Sequence, residues 1–291
     1  MSKGLKLKEA FASQACVALP GCYDGFSAHV IEKLGFPGAF VGGFGLCGST
    51  LGMPDMGLMT ENEVVNRVRS LANCVEMPII CDIDTGYGGV LNVTKVIQDM
   101  EAAGVAGIQI EDQDIDAKHC SEMNLPIALV SAEEMQRKIR AAAAARKDKD
   151  FMLITRCDAK EFGMDEVKRR FHCYLDAGAD MLVLTQKYTF EEYADFAQEF
   201  PGKILSTGGQ CEYDVWNRSL ADWASIGIKG IVYPSVTYSS AIRAMEDVLR
   251  PLYEKGQMTT EFLQEKIYDV PAISDLVGLE QYNALKRRLE A

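Results

Sequence analysis

The sequence predicts an α/β fold, a parallel (β/α)8 barrel followed by additional C-terminal helices. Three observations carry that expectation. Eight short apolar runs rich in β-branched residues recur within about 240 residues, the count and length of such a barrel. Stretches of helical periodicity alternate with them. Several helix ends also repeat one phrase before the next strand: Ala103-Gly104-Val105, Ala177-Gly178-Ala179 and Ile226-Gly227-Ile228. A glycine there caps the helix and turns the chain into a buried parallel strand.

In chain order, strands are expected over 16–19, 39–42, 79–82, 107–111, 151–156, 181–184, 203–206 and 230–233. Each is short, apolar and bounded by Gly, Pro or charge. Helices are expected over 62–75, 92–103, 132–146, 164–177, 190–200 and 213–226. From about Ser239 the chain reads as further helices, with 263–267 and 279–289 amphipathic. Such a tail covers the barrel or reaches a neighbouring subunit. A doubly wound open sheet is the alternative, but Gly42-Gly43-Phe44-Gly45 lacks the spacing of a dinucleotide turn. No linker rich in Pro, Gly or Ser divides residues 1–291, so one barrel domain with a helical tail over 239–291 is expected.

The 30 basic and 42 acidic residues leave a net charge of -12, with no basic footprint for nucleic acid or an anionic membrane. No apolar run has the length of a membrane span and Met1 to Ala10 lacks a signal-peptide core, so a cytoplasmic location is expected. Nine cysteines without a C-x-x-C pair argue against a disulfide framework or a thiolate zinc site. Inert packing is expected for Cys16, Cys47, Cys74, Cys81, Cys173 and Cys211, and ordinary helix positions for His29 and His172.

In a barrel of this kind chemistry sits at the C-terminal strand ends, where four carboxylates and one arginine would share a small mouth. Strand three ends in Asp82-Ile83-Asp84 and strand four in Glu111-Asp112-Gln113-Asp114. On an extended strand Asp82 and Asp84 point to one side, with Glu111 at similar height on the neighbouring strand. Three convergent carboxylates suit a hard divalent cation such as Mg2+; the alternative is that each caps a following helix. Arg156 ends strand five, where it either grips a carboxylate and developing negative charge or makes an ordinary ion pair with Asp158 or Glu111. Cys120 lies in a polar loop over 114–124, beside Lys118 and His119, too charged to be core and suited to acid or nucleophile chemistry.

These residues resemble the isocitrate lyase and phosphoenolpyruvate mutase superfamily over nearly the whole chain. The carriers are Pro20-Gly21-Cys22-Tyr23-Asp24, Leu51-Gly52-Met53-Pro54-Asp55, Asp82-Ile83-Asp84-Thr85-Gly86-Tyr87-Gly88, Ile110-Glu111-Asp112-Gln113, Lys118-His119-Cys120 and Thr155-Arg156-Cys157-Asp158-Ala159. The resemblance implies a (β/α)8 barrel, a homotetramer with an exchanged terminal helix, and an α-keto or α-hydroxy acid bound with Mg2+ or Mn2+. Asp82, Asp84 and Glu111 would organise the metal and its waters, with Asp55 behind them. Tyr23, Gly42 and Gly43 would hold the substrate carboxylate, Arg156 would face the oxyanion, Thr185 and Thr207 would contact substrate, and Cys120 would be the general acid. Tyr23 and Arg156 are thereby catalytic candidates with Cys120.

Within the superfamily, Leu-Gly-Met-Pro-Asp is most similar to the 2-methylisocitrate lyase group, which cleaves a carbon-carbon bond in a 2-hydroxy acid. Pro234 also matches lyases rather than oxaloacetate hydrolases. Where lyases read Lys-Arg-Cys-Gly-His, this chain has Lys118-His119-Cys120-Ser121-Glu122; strand six ends in Thr185-Gln186-Lys187, and Gly42 replaces a serine. The expected substrate is 2-methylisocitrate or a substituted malate such as 2,3-dimethylmalate. The rivals are a phosphonopyruvate or phosphoenolpyruvate enzyme acting at a P-C bond and a non-catalytic keto-acid binding protein.

Overall fold

Eight parallel strands form one sheet in the order β1-β8-β7-β6-β5-β4-β3-β2 in a computed structural model, which describes residues 1–120, 125–208 and 217–290. They are β1 (Val17–Pro20), β2 (Ala39–Val41), β3 (Ile79–Asp82), β4 (Gly107–Glu111), β5 (Met152–Cys157), β6 (Met181–Leu184), β7 (Ile204–Thr207) and β8 (Gly230–Tyr233). The remaining seam, β1 to β2, is closed by a parallel bridge from Gly21 to Phe40, with Cys22 N–H donating to Phe40 O at 2.8 Å. Gly21 is required there. A Cβ would stand 2.0 Å from Pro234 O, inside the backbone that follows β8.

Helix α1 (Lys3–Ser13) precedes the barrel, and its Leu7 and Phe11 join an inner cluster of Val17, Leu19, Ile80, Ile154, Leu205 and Val232. Around the sheet follow α2 (Gly25–Lys33), α3 (Gly43–Leu51), α4 (Glu61–Cys74), α5 (Val90–Ala103), α6 (Ala132–Ala145), α7 (Met164–Asp176), α8 (Phe190–Glu199) and α9 (Leu220–Ser225). The strands are buried almost throughout, because side chains on one face fill the barrel while those on the other meet the helices. Helix starts are fixed by local chemistry. Thr60 with Glu63, Thr189 with Glu192 and Ser219 with Asp222 form reciprocal caps. The repeated Ala-Gly phrase turns as expected: Gly104 adopts φ 89°, and Gly178 and Gly227 repeat the left-handed turn.

Four expected strands have the observed bounds; β2 ends one residue early and the other three are shifted by one residue at both ends, where ladder partners set the limit. Val17, for example, pairs with Gly230. Helices α1, α2 and α3 were outside the element expectations, the last because Gly43, Gly45 and Gly48 are poor helix formers. The helix expected over 213–226 begins at Leu220 among described residues, because Ser219 caps it; positions 213–216 lie outside them. Cys16, Cys47 and Cys81 are buried as expected. Cys74 is exposed and Cys173 partly so, which corrects the packing expectation for both, and Cys211 lies outside the described residues.

After β8 come α10 (Val236–Lys255), α11 (Thr260–Lys266), α12 (Val270–Leu276) and α13 (Leu279–Glu290), so the helical tail starts three residues before Ser239. None of these four helices contains a buried residue, and Ile242, Met245, Leu249 and Leu289 are among the apolar side chains left open. Among the described residues no helix is long and apolar enough to cross a membrane.

Candidate active site

The acid-bearing turn after β3 is built by main-chain bonds. Ile83 N–H donates to Gln109 O at 2.9 Å, Glu111 N–H to Asp84 O at 3.0 Å, and Lys138 Nζ reaches Thr85 O at 3.0 Å from α6. β3 ends at Asp82, and Asp84 has φ 49°, so Asp82 and Asp84 do not share a side by strand alternation as expected. The convergence comes from a left-handed turn that Asp tolerates, with Asp84 N–H donating to Asp82 Oδ1 at 3.1 Å.

Burial and the like charge of Asp84 push the Asp82 carboxyl up to about 7. Burial also raises Asp84, against the pull of Lys118, and raises Glu111 well above the ordinary carboxylate range, against Arg156 and Lys118. Lys118 is the cation that composition alone did not single out. Its side chain is 3 % exposed, pairing with Asp55 and lying 2.7 Å from Asp84 Oδ1. Burial alone would discharge it, but Asp84, Glu111, Asp55 and Asp82 together reverse the direction and hold it charged. The expectation that the loop over 114–124 is too charged to be core therefore fails at Lys118 and His119, both buried.

Arg156 makes the ion pairs the sequence offered as its plain alternative. Its Nη1 is 2.6 Å from Glu111 Oε2, and its Nε donates to Asp158 Oδ1 at 3.0 Å. Asp158 also accepts from Thr185 Oγ1 at 2.7 Å and Gln113 Nε2 at 2.6 Å. Burial opposes ionisation of Asp158, but Arg156 and these donors keep its carboxyl below the ordinary range. Behind it, Asp112 accepts from Asp158 N–H at 2.9 Å, Arg170 at 3.0 Å and Tyr174 at 2.7 Å. Gln113, read from the sequence only as part of a motif, has a definite task here. Its amide nitrogen serves Asp158 while its oxygen accepts from His119 N–H at 3.1 Å, tying the arginine to the Cys120 loop.

One cavity brings Asp55, Asp82, Cys120, Arg156, Thr185 and Thr207 together, with Gly42 and Gly43 also on its lining. Asp84 lines a smaller adjoining hollow with Asp55 and Asp82. Glu111 is fully buried beneath, and Tyr23 packs edge-on to the cavity residue Tyr238 with centroids 6.2 Å apart. Cys120 is anchored through its N–H, which donates to Asp55 O at 3.1 Å. Ser121 and Glu122, where the loop departs from the lyase pattern, lie outside the described residues.

Two features bear on a hard cation. Glu111 Oε1 is buried without a hydrogen-bond partner, and the acids around it are oxygen donors held out of their ordinary ionisation range. Among the described residues no group of three or more His, Cys, Asp or Glu is placed to hold a metal ion, so the expected Asp82, Asp84 and Glu111 are not gathered as one ligand cluster.

The phosphoenolpyruvate phosphomutase family profile matches residues 7–253. A 2,3-dimethylmalate lyase of Eubacterium barkeri is 34% identical over 285 residues, covering 97% of this chain and 96% of the relative. A 2-methylisocitrate lyase of Aeropyrum pernix is 33% identical over 283 residues, covering 96% and 88%. The solved structure of a phosphonopyruvate hydrolase complexed with oxalate and Mg2+ is 28% identical, with a TM-score of 0.87 over 100% of both chains. With its barrel, its buried acids and these matches along almost its full length, the chain belongs to the phosphoenolpyruvate phosphomutase family, within the superfamily it shares with isocitrate lyases.

Proposed function

We propose that this protein is a Mg2+-dependent carbon-carbon lyase that cleaves a 2-hydroxy di- or tricarboxylic acid, 2-methylisocitrate or a substituted malate such as 2,3-dimethylmalate. The observation that carries it is the presence of Cys120 and Arg156 on one cavity with Asp82. A thiol that can return a proton thus shares a site with a guanidinium that can stabilise an oxyanion. The two lyases that the chain matches at 33–34% identity support the same chemistry.

In this reading Asp82, Asp84 and Glu111 hold the cation and its waters, with Asp55 and Lys118 fixing that side of the mouth. When bound, the cation supplies Lewis-acid stabilisation to substrate oxygens. Gly42 and Gly43 receive the substrate carboxylate, with Tyr23 supporting their edge of the cavity through Tyr238. Thr185 and Thr207 orient the substrate. A base takes the hydroxyl proton, the C2–C3 bond breaks, and its electron pair moves onto C3 and the attached carboxylate. Arg156, held by Asp158, faces negative charge that develops on oxygen. Cys120 then donates its proton to C3. The products are a keto acid and a carboxylic acid whose atoms sum to those of the substrate.

The barrel and its tail form one working unit over 1–291, and the bare apolar faces of α10 to α13 are the surfaces through which four copies would associate. Association of this sort buries apolar side chains that a monomer leaves in water. The P-C reading draws support from the similarity to phosphonopyruvate hydrolase. Against it, Gln186 serves the loop after β6, its Oε1 accepting from Lys160 N–H at 2.8 Å.

The test is keto-acid release with and without Mg2+ over 2-methylisocitrate, isocitrate, substituted malates, oxaloacetate and phosphonopyruvate. Cleavage of a hydroxy acid is expected. Turnover of phosphonopyruvate alone would transfer the assignment to P-C chemistry, and oxalate binding without turnover of any compound would leave a binding protein.

A further inference from the structure

Strand β4 reads Gly107-Ile108-Gln109-Ile110-Glu111, and its glutamine has no part in the reaction scheme above. Side chains alternate along a strand. Ile108 and Ile110 join the core between sheet and helices, so Gln109 turns into the barrel on the same side as Glu111. In register it pairs with Asp82 on β3 and Ile154 on β5, and it lines the active-site cavity with Phe40, Asp82, Arg156 and Val232.

Gln109 is 3 % exposed, and its carboxamide makes no hydrogen bond among the described residues. The polar groups nearby are engaged with one another: Arg156 with Glu111 and Asp158, Thr185 with Asp158, and Asp82 with the N–H of Asp84. Phe40, Ile154 and Val232, which share its side of the sheet, belong to the apolar cluster inside the barrel. An unpaired amide in such surroundings opposes folding, and an aliphatic side chain of similar size would suit the barrel better. A residue that breaks the local rule in this way belongs where a ligand completes it.

The position also restricts what the amide can meet. A substrate carboxylate set against Gln109 would face Asp82 in register and Glu111 two residues on, whereas an uncharged oxygen would not be repelled. In a 2-hydroxy acid the uncharged oxygen is the one on C2. It has a lone pair to offer as hydroxyl, as alkoxide and as the carbonyl of the product. An amide N–H can donate to it throughout, and leaves the hydroxyl proton to the base.

We propose that Gln109 is a substrate-contact residue whose Nε2 donates to the C2 oxygen of the bound acid. The proposal rests on the hydroxy-acid reading of the site and adds a residue to it. No proton is transferred to or from Gln109.

The test removes the amide and, separately, the oxygen it would hold. Lactate, pyruvate and propionate differ only at C2, and their binding to wild type and to Gln109→Leu is measured by competition calorimetry against oxalate in a buffer containing MgCl2. Wild type is expected to prefer lactate and pyruvate to propionate. Gln109→Leu is expected to shrink that preference about 10-fold while binding propionate within about threefold of wild type. Urea unfolding without ligand separates contact from structural support. With the unpaired amide gone, the midpoint of Gln109→Leu is expected to equal or exceed that of wild type. Gln109→Met, with a side chain of similar length, is the second variant should the first misfold. Equal binding of the three acids by wild type, an unchanged preference in a folded variant, or midpoints of both variants well below wild type overturns the proposal. Failure of wild type to cleave any hydroxy acid overturns the lyase reading instead, and the binding preference still decides the part played by Gln109.

Discussion

Replacing Asp82 by Asn should make the metal-free protein more stable while removing its metal response. Asp82 is 8 % exposed, and burial next to Asp84 raises its carboxyl from an ordinary 3.8 to about 7. That displacement corresponds to about 4 kcal/mol of disfavoured ionisation, of which relaxation and coupling to Asp84 leave about 2 to 4 kcal/mol for the side chain. Well below its ordinary 3.8 the carboxyl is protonated in both folded and unfolded chains, so it exerts no such penalty. As the pH rises toward about 7 the unfolded chain releases the proton first, and the native state loses stability across that window. Asn has no proton to lose, and its side-chain oxygen can still accept from Asp84 N–H, a bond of 3.1 Å in the native protein. Urea unfolding in EDTA at pH 5, 6, 7 and 8 should therefore show the advantage of Asp82→Asn growing with pH. Added Mg2+ should raise the wild-type midpoint and leave the variant's nearly unmoved. An advantage that is flat or falls with pH would refute the buried-acid account.

Three other outcomes follow from the site. Lys118→Met leaves Asp55 and Asp84 without their buried cation and should lower stability by about 3 kcal/mol at pH 8 in urea unfolding, with a smaller loss at pH 5 where the acids protonate. Cys120→Ser should keep oxalate and Mg2+ binding within about threefold by calorimetry, while kcat falls by about 10²-fold or more; full activity would remove the thiol from the reaction. Gln113→Leu strands one acceptor on Asp158 and the N–H of His119, at about 1–3 kcal/mol. It should release the Cys120 loop, seen as faster alkylation of Cys120 by iodoacetamide mapped by mass spectrometry.

The barrel was legible because its signals are local and repeated. Strands such as 79–82 and 107–111 announce themselves by composition, and Gly104, Gly178 and Gly227 mark the same turn three times. The acids at the strand ends were legible for the same reason. What escaped were contacts between residues distant in sequence. Lys118 meets Asp55 across 63 positions, and Gln113 meets Asp158 across 45, so neither pairing leaves a periodic trace. Their places in the motifs ending at Gln113 and beginning at Lys118 were the available hints. Asp82 and Asp84 come together by another route than strand alternation, since alternation is local while the φ 49° turn depends on the bonds to β4. The aromatic pair of Phe44 and Tyr238 joins α3 to the start of α10, and spacing could not have revealed it.

The central claim, that this site breaks a carbon-carbon bond and returns a proton to carbon, is tested most directly by cleavage in D2O. With Mg2+ and a substituted malate, the account predicts equimolar keto acid and carboxylic acid, the latter carrying one deuterium on the carbon released from the broken bond. EDTA and Cys120→Ser should each suppress that product. Absence of cleavage of every hydroxy acid alongside turnover of phosphonopyruvate, or cleavage indifferent to both EDTA and Cys120→Ser, would contradict it.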